Sequence, residues 1–498
     1  MSAATKPART SAGKPAKTSA KPSTTSSVRS SSTKPARRAR RRRKTSSAPH
    51  TLVILGASGD LTTRLLLPGL ATLLKNEPER QVRVIGAATE SFTATEWRKR
   101  VRDSLTTAKV DKGVRDRILA STEYRRTDVM DEAGLTALVS DLPPDSVLYF
   151  ALPPKVSIAA CELLAEMKGL PRGLRLAIEK PFGSDKASAA EFNRLLERIV
   201  PEKRTFRIDH YLGKAAVLNL LGLRFGNRIF EPVWNNVNVE RVDIVADETL
   251  ALEGRAGYYD GAGALKDMIQ SHLLLVMALV AMEEMATVDE VELRDLMAHV
   301  LRATRLMGTP KEASRRARYT AGRIGRRRVP DYVAEPGVDP DRRTETLAEI
   351  TVEIKNSRWA GVPFRLRSGK ALGTERRGIY VHFKPVSHDL QGLVNTATPN
   401  YLKLGMSPET IELGITTNGA GDMFELEDTV LSAVIGNSHV RPYGEILAGI
   451  LDGIPLLSVR GDVAEECWRI VEPVLKAWAK GEVPLQSYAA GSDGPRGW

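Results

Sequence analysis

The stretch HTLVILGASGDLTTRLLLPGL, His50 to Leu70, decides how the chain is read. Thr51–Leu55 is a short, unbroken apolar run bounded by turn residues, which predicts a buried β-strand. Gly56 and Gly59 then allow a tight turn in which backbone N–H groups approach an anion at a helix N-terminus. Asp60 is placed to cap a helix that starts near Leu61. Pro68 and Gly69 are expected to end that helix, with Pro68 opening a second one. GASGDL falls short of the full G-x-G-x-x-G fingerprint, so a plain strand–helix turn also fits it.

Further apolar runs follow outward at VRVIGAA, SVLYFALPP, LRLAIEKPFG and TFRIDHY, with amphipathic stretches such as 94–105 and 156–167 between them. Strands alternating with helices predict a doubly wound parallel sheet up to about residue 208. Beyond it AAVLNLLGLRF reads as a helix, VERVDIVADET as a strand, and KDMIQSHLLLVMALVAMEEM as a long, mostly buried helix. ETLAEITVEIKN, VPFRLRSGK and GIYVHFKP read as strands of an antiparallel sheet, and no internal repeat is evident. The expected organisation is a Rossmann-like dinucleotide-binding domain at 49–208 and a larger α+β domain at 209–498 for substrate binding and oligomerisation.

The net charge of +13 is unevenly placed. Residues 1–48 hold 14 Lys and Arg and no acid, leaving 59 basic and 60 acidic side chains in 49–498. Such a Ser/Thr/Pro/Ala/Lys segment lacks the apolar side chains that offset ordering entropy, so it reads as a disordered tail. Its charge suits nucleic acid or another polyanion; a solvated tail and an overextended start site are the plain alternatives. Cys161 and Cys467 are the only cysteines, which argues against a disulfide framework or a cysteine metal cluster and for a reducing, cytoplasmic location. The longest apolar run, Leu273–Met282, is too short to span a bilayer and predicts a core helix.

Three groups of residues carry chemistry. Lys180 lies where a predicted parallel strand ends, and carboxyl ends of such strands are where open α/β sheets bind ligands. RIDHYLGK offers donors from His210, Tyr211 and Lys214 beside a helix start, a set that could hold a phosphate dianion. Asp209 would sit poorly beside a phosphate, so it should face a cationic group. His272, on an otherwise apolar helix, offers that partner: an acid would fix its tautomer and stabilise the imidazolium formed when it acts as a base.

Taken in order, GASGDL, ALPP, EKPFG, RIDHYLGK, RAGYYDGAGALKDMIQSHLL, GVPFRLRSGKAL and CWRIVEPVLKAW resemble the glucose-6-phosphate dehydrogenase family over nearly all of residues 50–480. The resemblance implies oxidation of the C1 hydroxyl of glucose 6-phosphate to 6-phosphoglucono-δ-lactone with hydride transfer to NADP, the first step of the oxidative pentose phosphate route, and no metal. It implies a homodimer or homotetramer. On matching positions His272 is the general base and Asp209 its partner, while His210, Tyr211 and Lys214 hold the phosphate. Glu248 and Asp267 hold sugar hydroxyls, and Lys370 and Arg376 reach the substrate from the second domain. Lys180 stands between sugar and cofactor, and the cofactor side comprises Gly56, Ser58, Gly59, Asp60, Leu61, Arg64, Thr89 and Pro153.

Four positions depart from the family pattern. Leu65 stands where a lysine is usual, with Arg64 its nearest replacement; Ser271 replaces an asparagine; and Glu375 replaces a basic contact next to Arg376. Thr89 and Glu90 stand where an arginine usually meets the adenosine 2′-phosphate, with Arg64 and Arg98 the nearby substitutes. An acid at that strand end commonly selects NAD. Two rival readings follow, a divergent paralogue using NAD or another sugar phosphate, and a weakly active body whose tail binds nucleic acid.

Overall fold

The computed structural model describes residues 49–498 apart from 255, 396 and 437, so the tail reading of 1–48 lies outside the described residues. The first sheet has six parallel strands: β1 (His50–Leu55), β2 (Val82–Ala88), β3 (Glu123–Arg126), β4 (Val147–Phe150), β5 (Arg175–Glu179) and β6 (Thr205–Ile208). They pair in the order β6–β5–β4–β1–β2–β3, and Ser458–Val459 closes the β6 edge antiparallel. This is the doubly wound order. Its direction reverses between β1 and β4, which places the turn after Leu55 and the Ala151–Pro153 segment at the crevice where such sheets bind ligands. β3, EYRR, has no apolar run for sequence reading to find, because it is an edge strand whose side chains are partly buried or exposed.

The second sheet has ten strands and is mainly antiparallel. At its centre β7 (Val239–Asp247) pairs antiparallel with Arg376–Phe383 and parallel with Phe364–Gly369. The helix Ala256–Ala281 is long and apolar enough to cross a membrane by length and composition, but 83% of its most apolar window is buried inside the molecule. Leu273–Ala281 is almost entirely inaccessible and joins side chains of both sheets in one apolar core. The helix stops at Ala281, because Met282 is extended, so the EEM of the predicted segment lies outside it.

Three local expectations around the opening motif are corrected. Helical structure runs unbroken over residues 60–76, with π winding at Thr62–Leu66. Leu67 N–H reaches back to the Thr62 carbonyl, one residue beyond the α register, and this wider turn accommodates the missing Pro68 N–H without ending the helix. Asp60 does not cap: it is exposed and pairs with Arg64 one turn on, at 3.2 Å. Gly69 is no stop signal either. A Cβ there would lie 2.7 Å from Tyr443 Cβ and 2.9 Å from Gly444 N, so the glycine lets helix Pro442–Asp452 pack directly against this one.

Gly69→Ala therefore sets about 1 kcal/mol of helix propensity against an overpacking cost of about 1–3 kcal/mol. The expected outcome is net destabilisation in urea unfolding, whereas a stabilised variant would show that the two helices have room to separate.

Candidate active site

β6 ends at Ile208, and Asp209 follows at the carboxyl edge of the sheet. Its Oδ1 accepts the Tyr211 N–H at 3.0 Å, which shapes the single turn His210–Gly213. The same oxygen meets His272 Nδ1 at 2.6 Å, and both side chains are buried. Nδ1–H thus donates to the carboxylate, leaving the lone pair of the neutral ring on Nε2. Tyr211 stacks on the His272 ring with centroids 4.2 Å apart, and His210 meets it edge-on at 4.7 Å.

His272 lies in the segment Leu265–Leu273, which is wound as a π-helix rather than the plain helix expected. Gly263, at φ +69°, breaks the preceding turn, and the buried Glu345 carboxylate accepts the Leu265 N–H at 3.0 Å where the π winding begins. Bonds of i→i+5 type put residues five apart one above the other. Asp267 is five residues before His272. Its carboxylate takes Lys180 Nζ at 3.2 Å, and its carbonyl takes the same ammonium at 2.5 Å. Lys180, from the end of β5, is thereby tied to the helix that carries the histidine.

Burial lowers the His272 pKa below its usual value; the Asp209 charge opposes that and Lys180 adds to it, so the ring is a neutral base near pH 7. Burial alone would raise Asp209, but the charge and hydrogen bond of His272 hold it ionised, at about 2. Burial pushes His210 down to about 3, so it is neutral, and lowers Lys214 to about 8 with help from Arg377. Lys214 Nζ sits 3.5 Å over the Tyr211 ring.

From the second sheet, Glu248 follows β7 and accepts Lys370 Nζ at 2.6 Å and Arg377 at 3.2 Å. Arg376 is not brought to this group. It pairs with the buried Asp247 at 2.6 Å, across the strand pair from Arg377. Alternation along a strand separates these neighbours, and RR in the sequence does not say which one faces the site. Two further residues escaped sequence reading. Glu179, one residue before Lys180, accepts the Tyr149 hydroxyl at 2.5 Å and also bonds Tyr443, and burial raises it to about 7. Tyr443 stacks on His210 at 5.8 Å. EKP hinted at Glu179, but Tyr443 lies more than 230 residues from His210 and had no local signal.

Further along the same carboxyl edge of the sheet, Gly56 has φ +86°, and a Cβ there would lie 2.2 Å from the Ala151 carbonyl, so the segments leaving β1 and β4 approach too closely for any side chain. Ser58, Gly59 and Asp60 lie on the open side of this turn, with Pro153 exposed beyond β4. Leu61 packs partly into the core, while Leu65 is exposed. Ser58 donates to the Glu90 carboxylate at 2.7 Å. The nearby cations differ from those expected: Arg100 donates to the Ser58 carbonyl at 2.7 Å and Arg126 to the Thr89 carbonyl at 3.0 Å. Such a turn fits the pyrophosphate of a dinucleotide.

The sequence matches the family described as glucose-6-phosphate dehydrogenase, NAD binding domain, over residues 53–219, and its C-terminal domain over 221–498. It is 37% identical to a glucose-6-phosphate 1-dehydrogenase of Gluconobacter oxydans over 90% of this chain and 94% of that one. A Treponema pallidum protein of the same name is 36% identical over 90% and 92%. Among solved structures, a glucose-6-phosphate dehydrogenase in complex with its substrate glucose 6-phosphate aligns with TM-score 0.80 and 29% identity, covering 90% of this chain and 96% of that one. The Mycobacterium avium glucose-6-phosphate 1-dehydrogenase aligns with TM-score 0.77 and 32% identity over 90% and 95%.

In a pH titration followed by imidazole NMR, His272 is expected to protonate below the ordinary histidine value of 6.5. Asp209→Asn removes the charge that raises it, so its midpoint should fall further. A ring already cationic at neutral pH would refute its assignment as a base.

Proposed function

The chain belongs to the glucose-6-phosphate dehydrogenase family, and from that premise we propose that it oxidises the C1 hydroxyl of D-glucose 6-phosphate to 6-phosphoglucono-δ-lactone, with NADP preferred over NAD. The observation that carries this reading is the buried Asp209–His272 pair, with His210 and Tyr211 packed on its ring and Lys214 over Tyr211. His272 Nε2 takes the C1 hydroxyl proton, and Asp209 stabilises the resulting imidazolium. Removing that proton raises electron density at C1, and a bound nicotinamide accepts the hydride that leaves it. His210, Tyr211 and Lys214 bind the phosphate, with Arg377 contributing charge at the same place. Glu248, Asp267 and Lys370 orient the sugar hydroxyls, and Lys180 sits between sugar and cofactor. Arg376 acts at one remove, through Asp247.

In this reading residues 49–208 bind the dinucleotide and 209–498 bind the sugar and form a homodimer or homotetramer. The protein works in the cytoplasm at the entry to the oxidative pentose phosphate route, and no metal takes part. The basic tail is left for contact with nucleic acid or other polyanions.

Cofactor choice turns on residues 58, 89, 90 and 126. The hydrogen bond from Ser58 lowers the Glu90 pKa, so this exposed acid stays ionised and would repel a 2′-phosphate. Arg64 is engaged with Asp60. Arg126, exposed at the end of β3 and anchored through Nε to Thr89, keeps its other guanidinium N–H groups for that phosphate. The two effects oppose each other, which supports use of NADP with NAD tolerated.

His272→Asn should lower turnover on the order of 10²–10⁴-fold while leaving glucose 6-phosphate affinity within a few-fold; near-normal turnover in a folded variant would end the assignment. Arg126→Ala should lower kcat/KM with NADP by about ten- to a hundred-fold, the range of one charge-assisted hydrogen bond. Efficiency with NAD should stay nearly constant. An equal loss with both cofactors would mean that Arg126 supports the fold rather than the phosphate.

A further inference from the structure

Lys370 is followed by a residue in an uncommon conformation. Ala371 has φ +53°, the left-handed region that residues with a Cβ rarely adopt, and it is fully buried. Such a backbone persists only where its surroundings over-determine it. Here one side of the turn is bonded by the loop after β7: Ala371 N–H donates to the Leu250 carbonyl at 2.8 Å and Leu372 N–H to the Glu248 carbonyl at 3.0 Å. The other side is bonded by the last residues of the chain. The Tyr488 hydroxyl donates to the Lys370 carbonyl at 2.6 Å. Gly491 N–H donates to the Ala371 carbonyl at 2.8 Å, and Gly373 N–H to the Ser492 carbonyl at 2.9 Å. The segment is itself fastened: strand Leu485–Ala489 pairs with Ser314–Thr320, and Arg367 donates to the Asp493 carbonyl at 2.9 Å.

We propose that the C-terminal segment 485–493 is a positioning element of the sugar site, holding the strained Lys370–Ala371 turn so that the lysine ammonium stands beside Glu248. Tyr488 and Gly491 act through Lys370 and touch no substrate. The proposal rests on the assignment of Lys370 as a substrate residue.

The test measures KM and kcat for glucose 6-phosphate in full-length variants, at temperatures well below each melting point. Tyr488→Phe removes one hydroxyl and should raise KM about three- to ten-fold, the range of one neutral hydrogen bond, with kcat within two-fold. Gly491→Ala brings a Cβ to 1.8 Å from the Arg323 carbonyl, so this residue must shift, and KM should rise similarly. Ala371→Gly supplies the control that a merely structural role would not move. Glycine adopts φ +53° without strain, so the KM penalty of Gly491→Ala should shrink at least three-fold in that background. Equal penalties in both backgrounds, or unchanged KM in Tyr488→Phe and Gly491→Ala while Lys370→Ala raises it, would overturn the positioning role. Unchanged KM in Lys370→Ala would instead overturn the assignment of Lys370.

Discussion

The buried contact between Asp209 and His272 constrains the rest of the molecule. A carboxylate taken out of water is costly unless it is paired and hydrogen-bonded. Asp209 stands at the end of the first sheet, and its partner comes from a helix packed on the second. The two sheets therefore meet where this pair can form, and the apolar wall around it, Leu273–Ala281 with side chains of both sheets, belongs to the largest apolar core among the described residues. Folding and the site share one constraint: misplacing the helix leaves a charge buried without a counterpart.

A second tie fixes the helix's rotation. Lys180 grips Asp267 through both carbonyl and carboxylate, five residues before His272. In an α-helix residues five apart point well away from each other; under π winding they line up. The wider turn is thus what lets one helix present an acid to Lys180 and a base to Asp209 together. Its cost falls on the backbone, and Glu345 offsets part of it by accepting the Leu265 N–H.

These features explain what the sequence could and could not disclose. The buried parallel strands were legible because their apolar runs are short and bounded by glycine and proline. β3 was not, because an edge strand has no need of such a run. Asp209 and His272 could be paired on chemistry alone, since a lone buried histidine and an acid unfit for phosphate each lacked a partner. The unbroken helix across Pro68 was illegible, because π winding leaves no residue signature. Arg377 in place of Arg376 depended on strand register, and Arg100 and Arg126 on tertiary packing around the glycine turn. Propensity fixes none of these.

The remaining asymmetry lies within Asp209 itself. One oxygen serves both the Tyr211 N–H and the His272 ring, while Oδ2 is buried with no hydrogen-bond partner among the described residues. Burial works against this carboxylate, but the charge and hydrogen bond of His272, with His210 and Lys180 nearby, more than offset it and keep Asp209 ionised. For catalysis this coupling to one ring is useful. When His272 gains a proton, a cation appears 2.6 Å from the Asp209 anion. In a site where water does not screen the pair, their attraction is far stronger than in solvent. The desolvation cost was met when the chain folded, so little reorganisation opposes the proton transfer. Asp209 is ionised before and after the transfer, so its contribution to the step is its attraction for the newly formed cation.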